Sequence, residues 1–230
     1  MRPAALPHPA PAPVSPGPAP SASPRPSASP RDGSRDRLDG LLSGHDPSVG
    51  LLVGPHEVGG RPAFQELVRC GALALLWDDV AAPAAVPLTP TLRALAVRDL
   101  VPRDTVVAGA SAAWVLCGSA RPRLLEVVYP PGRHRPAPHP GRAPRQTHVL
   151  RDETVLVAGV LVTTPVRTAL DVATRRDPDE ALETLARLRD ACGLDVAAAA
   201  RSLELRYRWP GRDRARSTLA LLLARGHDPV

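Results

Sequence analysis

The chain has 230 residues and a formal charge of +6, all of its non-histidine cations being arginine; lysine, isoleucine and asparagine are missing altogether. No stretch approaches the ~18 apolar residues of a membrane span, and Cys70, Cys117 and Cys192 are odd in number, far apart and set beside apolar neighbours, so they read as reduced, buried thiols rather than a disulfide framework. This excludes a membrane-spanning or disulfide-stapled protein and points to a cytoplasmic one; the arginine bias is that of a GC-rich genome, so charge is informative here only where it clusters.

Residues 1–33 are rich in Pro, Ala and Ser and nearly devoid of large apolar side chains, a composition that cannot offset ordering entropy and predicts a disordered tail. A short helix is expected from Arg35 to Leu42, and a strand or turn at 50–53. Ala63 to Cys70 reads as a helix with Phe64, Leu67 and Val68 inward and Gly71 as its stop. Ala72 to Trp77 reads as a strand turned by Asp78-Asp79, and 80–88 as an Ala/Pro linker. Thr89-Pro90 is a cap followed by a proline at the first helical position, where the missing N–H costs nothing; the helix presents Leu92, Leu95 and Ala96. A short strand at 105–108 and a helix at 110–117, with Ala110, Ala113, Trp114 and Cys117 on one face and Gly118 as its end, come next.

Leu124 to Tyr129 is a strong strand signal, 130–145 a Pro/Arg/His loop, and 146–150 a further strand. Two β-branched runs flank Ala158-Gly159 and predict a tight hairpin. Thr164-Pro165 then starts a helix whose Val166, Ala169, Leu170 and Ala173 share one face. Asp177-Pro178 starts another, burying Ala181, Leu182, Leu185 and Leu188 and ending at Gly193; amphipathic helices at 195–207 and 212–225 complete the chain. The order predicts an α+β protein divided into the tail 1–33, a small N-terminal element at 34–86 and a mixed α/β domain at 87–230.

Charge is unevenly placed. Residues 119–151 hold seven arginines against the single acid Glu126, whereas the rest of the chain is close to neutral. Such clustering is an electrostatic footprint for a polyanion. Within it Arg121, Arg123, Arg133, Arg135, Arg142 and Arg145 are candidate phosphate contacts along a backbone. On the 63–70 helix, Arg61, Gln65 and Arg69 fall four apart on one face, where arginine can meet guanine or phosphate and glutamine adenine. Arg206-Tyr207-Arg208-Trp209 interleaves aromatic and cationic groups, a pattern met in single-strand binding but more often in a helix end packed on a core. Arg167 and Asp171, four apart on the capped helix, read as a surface ion pair worth ~0.3–0.5 kcal/mol. Trp77 and Trp114 read as core anchors. No nucleophile elbow surrounds Ser111, no Walker or dinucleotide loop is present, and the histidines of the basic stretch lack metal-ligand spacing, so neither catalysis nor a cofactor or metal is expected.

Four segments, "FQELVRCGALALLWDDV" (64–80), "TPTLRALA" (89–96), "VVAGASAAWVLCG" (106–118) and "VAGVLVTTPVRTALDVA" (157–173), resemble in order the AbiEi-type antitoxin and regulator proteins of actinobacterial type. The resemblance implies a winged-helix DNA-binding part, here degenerate, followed by an α/β C-terminal part. It implies a non-catalytic regulator that binds double-stranded operator DNA and counteracts a nucleotidyltransferase-type toxin. The wing tip of such a protein usually carries basic residues; here it is Asp78-Asp79, whose carboxylates repel phosphate. The alternatives are a protein-interaction module that has lost DNA binding and a remnant of a relative fused to a nuclease. The nuclease domain of such relatives would begin near Val230, so nuclease activity is not implied, and no carboxylate cluster is present to hold a catalytic metal.

Overall fold

The computed structural model describes residues 50–225, all within one compact unit, His45–Val230. The expected tail at 1–33 and helix at 35–42 lie outside the described residues. Among the described residues the protein is a mixed α/β molecule of seven α-helices and two sheets.

A 3-10 turn at Pro55–Val58 precedes helix α1 (Arg61–Arg69), which leads into the hairpin of β1 (Leu73–Trp77) and β2 (Val80–Pro83). The expected linker at 80–88 is therefore a strand in its first half. Val80, Ala81 and Ala82 are small and apolar enough to pair with β1, and the tight Asp78-Asp79 turn, with Asp78 at φ 41, folds the chain straight back. The apolar run at 50–53 contributes an isolated bridge, Val53 to Ala81. Phe64, Leu73 and Ala81 form a small core beneath α1.

Helix α2 (Pro90–Val97) is capped as its sequence dictates, with the Leu92 N–H donating to Thr89 Oγ1 at 3.2 Å. Strand β3 (Val106–Val107) and helix α3 (Gly109–Cys117) follow, then β4 (Leu125–Tyr129), β5 (Arg142–Gln146), β6 (Thr154–Val157) and β7 (Val160–Thr163). These strands form one mixed sheet in the order β5-β4-β3-β7-β6. The β6–β7 turn places Ala158 at φ 47 and Gly159 at φ 80, the two positive angles of the expected hairpin turn.

Strand β5 corrects the sequence reading, which put a loop at 130–145 and a strand at 146–150. It pairs parallel to β4, from Leu125 opposite Arg142 to Tyr129 opposite Gln146. Its sequence, Arg-Ala-Pro-Arg-Gln, has no apolar alternation, and Pro144 lacks the N–H a central strand needs. Both are tolerated because β5 is an edge, bonded on one side only.

The remaining helices are α4 (Pro165–Arg175), α5 (Pro178–Cys192), α6 (Val196–Glu204) and α7 (Arg212–Arg225). Their caps are those of the sequence: Thr164 Oγ1 accepts from Arg167 N and Asp177 Oδ1 from Asp179 N, and Gly118 and Gly193 stop α3 and α5 at φ 68 and 62. Helix α4 is buried among α3, α5, α6 and α7, and its Ala169, Leu170 and Ala173 join Leu182, Leu185 and Leu188 in the helical core. A second core joins the sheet to the hairpin: Leu76, Trp77 and Ala82 pack with Trp114, Leu125, Val127 and Val162. Trp77 and Trp114 meet edge to face at 5.1 Å, as anchors of that core.

Candidate functional site

The exposed face of α1 carries Arg61, Gln65 and Arg69, brought together by the helical spacing of four. The inward face is fixed by Phe64, which is buried, and by half-buried Leu67 and Val68. Two of the three polar groups are engaged by acids, one on the hairpin turn and one on α1 itself. Arg61 pairs with Asp79 at the hairpin turn, and Arg69 grips Glu66 through Nη2 at 2.6 Å and Nε at 2.9 Å. That grip holds the Glu66 carboxyl below its ordinary pKa and the Arg69 guanidinium above its own. The Gln65 side chain makes no hydrogen bond among the described residues. The face is thus close to electroneutral.

The basic stretch does not act as one unit. Arg121 stacks over the Trp77 ring at 5.6 Å, on the edge of the hairpin core. Arg123 and Arg133 are exposed and form no ion pair among the described residues. Arg142 donates to the carbonyls of Leu100 at 3.2 Å and Ala137 at 3.0 Å, tying β5 to its flanking loops. Arg145 donates to Asp171 at 3.2 Å. Together with Arg135, these last two face the ends of β4 and α4, where Arg175 and Arg176 line the same open concavity of about 570 Å³. Sequence reasoning missed Arg175 and Arg176 because they lie some thirty residues downstream of β5 and outside the basic stretch; a helix ending in two adjacent arginines was the available signal.

The segment with the strongest family resemblance proves to be a structural hub. Arg167 and Asp171 are each 1% exposed, so the expected surface ion pair is a buried one. Arg167 Nε donates to Asp171 Oδ2 at 3.3 Å, and Nη1 donates to Glu153 Oε2 at 2.6 Å and to the His148 carbonyl at 3.0 Å. Arg145 takes the other Asp171 oxygen and Arg206 the other Glu153 oxygen. The Trp209 ring receives both guanidiniums, Arg167 at 4.8 Å and Arg206 at 4.7 Å. Spacing alone could not reveal this burial, because the partners come from β5, from the turn before β6 and from the chain between α6 and α7. Trp209 packs on the helical core as the bland reading of 206–209 has it, whereas Tyr207 is 83% exposed.

Other candidates resolve into structural roles. Ser111 is buried, donating to the Leu124 carbonyl and accepting from the Glu126 N–H, which pins α3 to β4. Arg93, which the sequence left unremarked, is buried at the end of α3 and donates to the carbonyls of Leu88, Val115 and Leu116, a side-chain cap for that helix. Burial lowers its pKa. Cys117 and Cys192 are half-buried, and burial raises both thiols; Cys70 is exposed, contrary to expectation. No helix among the described residues is long and apolar enough to cross a membrane.

A search of curated proteins returns no match. Among solved structures, the chain is similar to the RV2827C protein from Mycobacterium tuberculosis, with 20% identity over 85% of this chain and 82% of that one, and a TM-score of 0.32. The family model of the AbiEi antitoxin C-terminal domain matches residues 105–221, from the start of β3 into α7. Matched by that model over half its length, the chain belongs to the AbiEi antitoxin family, whose antitoxin role carries with it a toxin of some kind as partner.

Proposed function

We propose that the protein is a cytoplasmic, non-catalytic antitoxin that also binds its own operator DNA, and that the toxin it counters is of nucleotidyltransferase type. The single observation supporting DNA binding is the exposed Arg61, Gln65 and Arg69 row on α1, followed directly by the β1–β2 hairpin, the helix-and-wing order of a winged helix. In this reading the 34–86 element reads sequence in a degenerate winged helix. Arg121, Arg123, Arg133, Arg135, Arg142 and Arg145 add phosphate contacts, and the 87–230 part carries the antitoxin function. Binding over a promoter would occlude it.

The test is a fluorescence-anisotropy titration of the full chain with its upstream DNA and a scrambled duplex, at low and moderate salt. A preference for the native duplex that survives salt, and that collapses in the R61A/Q65A/R69A variant, is the expected result. Equal binding that vanishes with salt would refute sequence reading. The second reading, a module that has lost DNA binding and meets only a protein partner, is favoured by the pairing of Arg61 with Asp79 and of Arg69 with Glu66. Toxin binding retained beside a flat DNA titration would establish it.

A further inference from the structure

The concavity beside β5 gathers more positive charge than its acids balance. Its cations come from three elements: Arg135 from the 130–141 segment, Arg142 and Arg145 from β5, and Arg175 and Arg176 from the end of α4. Helix α4 stops at Arg176, where the backbone turns extended at ψ 161, and this turn sets two successive guanidiniums against the edge of the sheet. Glu126 is the one acid in the lining, and Arg176 takes it. Arg145 is shared with Asp171. Arg142 donates to two carbonyls, which are neutral and leave its charge unbalanced. The side chains of Arg135 and Arg175 make no hydrogen bond or ion pair among the described residues.

We propose that this concavity, lined by Arg135, Arg142, Arg145, Arg175 and Arg176, is a phosphate-binding site that takes the clustered phosphates of a nucleotide or of a nucleic-acid strand. The charge density selects this chemistry. Three unbalanced guanidiniums face one opening of about 570 Å³, which calls for several negative charges within a few ångströms of one another. An extended acidic peptide presents side chains to one face only every ~7 Å, whereas adjacent phosphates concentrate charge and offer paired oxygens to the planar arginine fork. Desolvation first, and then the charge of Arg145, hold the Arg175 guanidinium below its ordinary pKa, and a bound anion offsets the second of these. Recognition here needs no base sequence: the site deepens the phosphate contacts proposed above for Arg135, Arg142 and Arg145 and rests on that part of the reading, but not on base reading by α1.

The test uses the full chain and three soluble probes, inorganic phosphate, pyrophosphate and ATP, by calorimetry, with a fluorescein-labelled scrambled 12-mer by anisotropy. Pyrophosphate or ATP is expected to bind at least tenfold more tightly than inorganic phosphate, and R135Q/R175Q to weaken that binding at least tenfold. The charge-matched control R151Q/R208Q, away from the concavity, is expected to change it less than twofold. Both pairs of arginines are exposed and unpaired, so the variants should melt with the parent protein. ATP binding with no displacement of the oligonucleotide assigns the site to free nucleotides. Oligonucleotide binding that R135Q/R175Q weakens, without ATP binding, assigns it to a nucleic-acid strand. If R135Q/R175Q affects every probe no more than R151Q/R208Q, or if polyglutamate competes better than pyrophosphate, the proposal is overturned. Because the R61A/Q65A/R69A variant retains this concavity, failure of operator recognition would leave the result unchanged.

Discussion

Arginine does opposite things at two places on this molecule's surface. On α1 and its hairpin, Arg61 and Arg69 each find an acid there, Asp79 and Glu66, and the face is nearly neutral. At the edge of the large sheet, β5, the segment before it and the end of α4 gather five arginines, of which Glu126 engages Arg176 and Asp171 engages Arg145. The first pairs stay within the helix and its hairpin; the second cluster is assembled across the sheet by topology. Net charge along the chain therefore locates the basic region but not the site: Arg175 and Arg176 enter it only because α4 runs back across the sheet. Arg167, buried with its acids as a strut, is a third use of the same residue.

The largest effect expected on this contrast comes from removing the strut. Arg167→Met leaves Glu153 and Asp171 with less of their compensation in a buried site, and breaking such a pair costs about 3–5 kcal/mol. Thermal unfolding followed by the fluorescence of the three tryptophans, Trp77, Trp114 and Trp209, should show that loss as a melting point lower by about 10 °C or more. A variant as stable as the parent would make the 1%-exposed network energetically idle. Next in size is Gly109→Ala. Gly109 sits at φ +57, and a Cβ there would lie 2.1 Å from Glu126 Oε2. The left-handed backbone alone costs ~1–2 kcal/mol with a side chain present. Displacing the carboxylate also strips Arg176 of its partner, so pyrophosphate should bind several-fold more tightly even as the protein melts earlier. Tighter binding without destabilisation, or the reverse, would separate the two roles of that glycine.

Local signals were legible in the sequence and long-range ones were not. The Thr-Pro and Asp-Pro helix starts, the glycine stops at Gly118 and Gly193 and the Ala158-Gly159 hairpin are each decided within a few residues, and each stands where expected. Strand β5 was missed because an edge strand needs neither apolar alternation nor freedom from proline. The burial of Arg167 and Asp171 was missed because the i,i+4 spacing describes a pair and says nothing of Glu153, Arg206 and Trp209 closing over it. The candidate residues of α1 were placed on one face as read, while the acids that engage them, eighteen and three positions away, became visible only in three dimensions.

A smaller effect should sharpen the contrast at the hairpin. Asp78→Ser with Asp79→Ser removes two carboxylates from the turn and releases Arg61. Duplex DNA should bind several-fold more tightly with a steeper salt dependence, because each freed cation that meets a phosphate adds to counterion release. No gain would argue that α1 and the hairpin never approach a duplex, and the protein-partner reading would then hold.

The smallest effect expected is at Glu66. Its carboxyl is held below the ordinary range by the hydrogen bond from Arg69, so the folded-state pKa lies under the unfolded one. The stabilisation it confers is present above the unfolded value and is lost as pH falls through the lowered folded one. Both groups are open to solvent, where water and salt screen the pair. Glu66→Gln should therefore melt within error of the parent at pH 7 and at acidic pH alike, while its DNA affinity rises modestly at pH 7 as Arg69 is released. A clear loss of stability at neutral pH, vanishing in acid, would instead mean that this pair supports the element as Arg167 supports the core, and the division between paired surface and buried strut would fail.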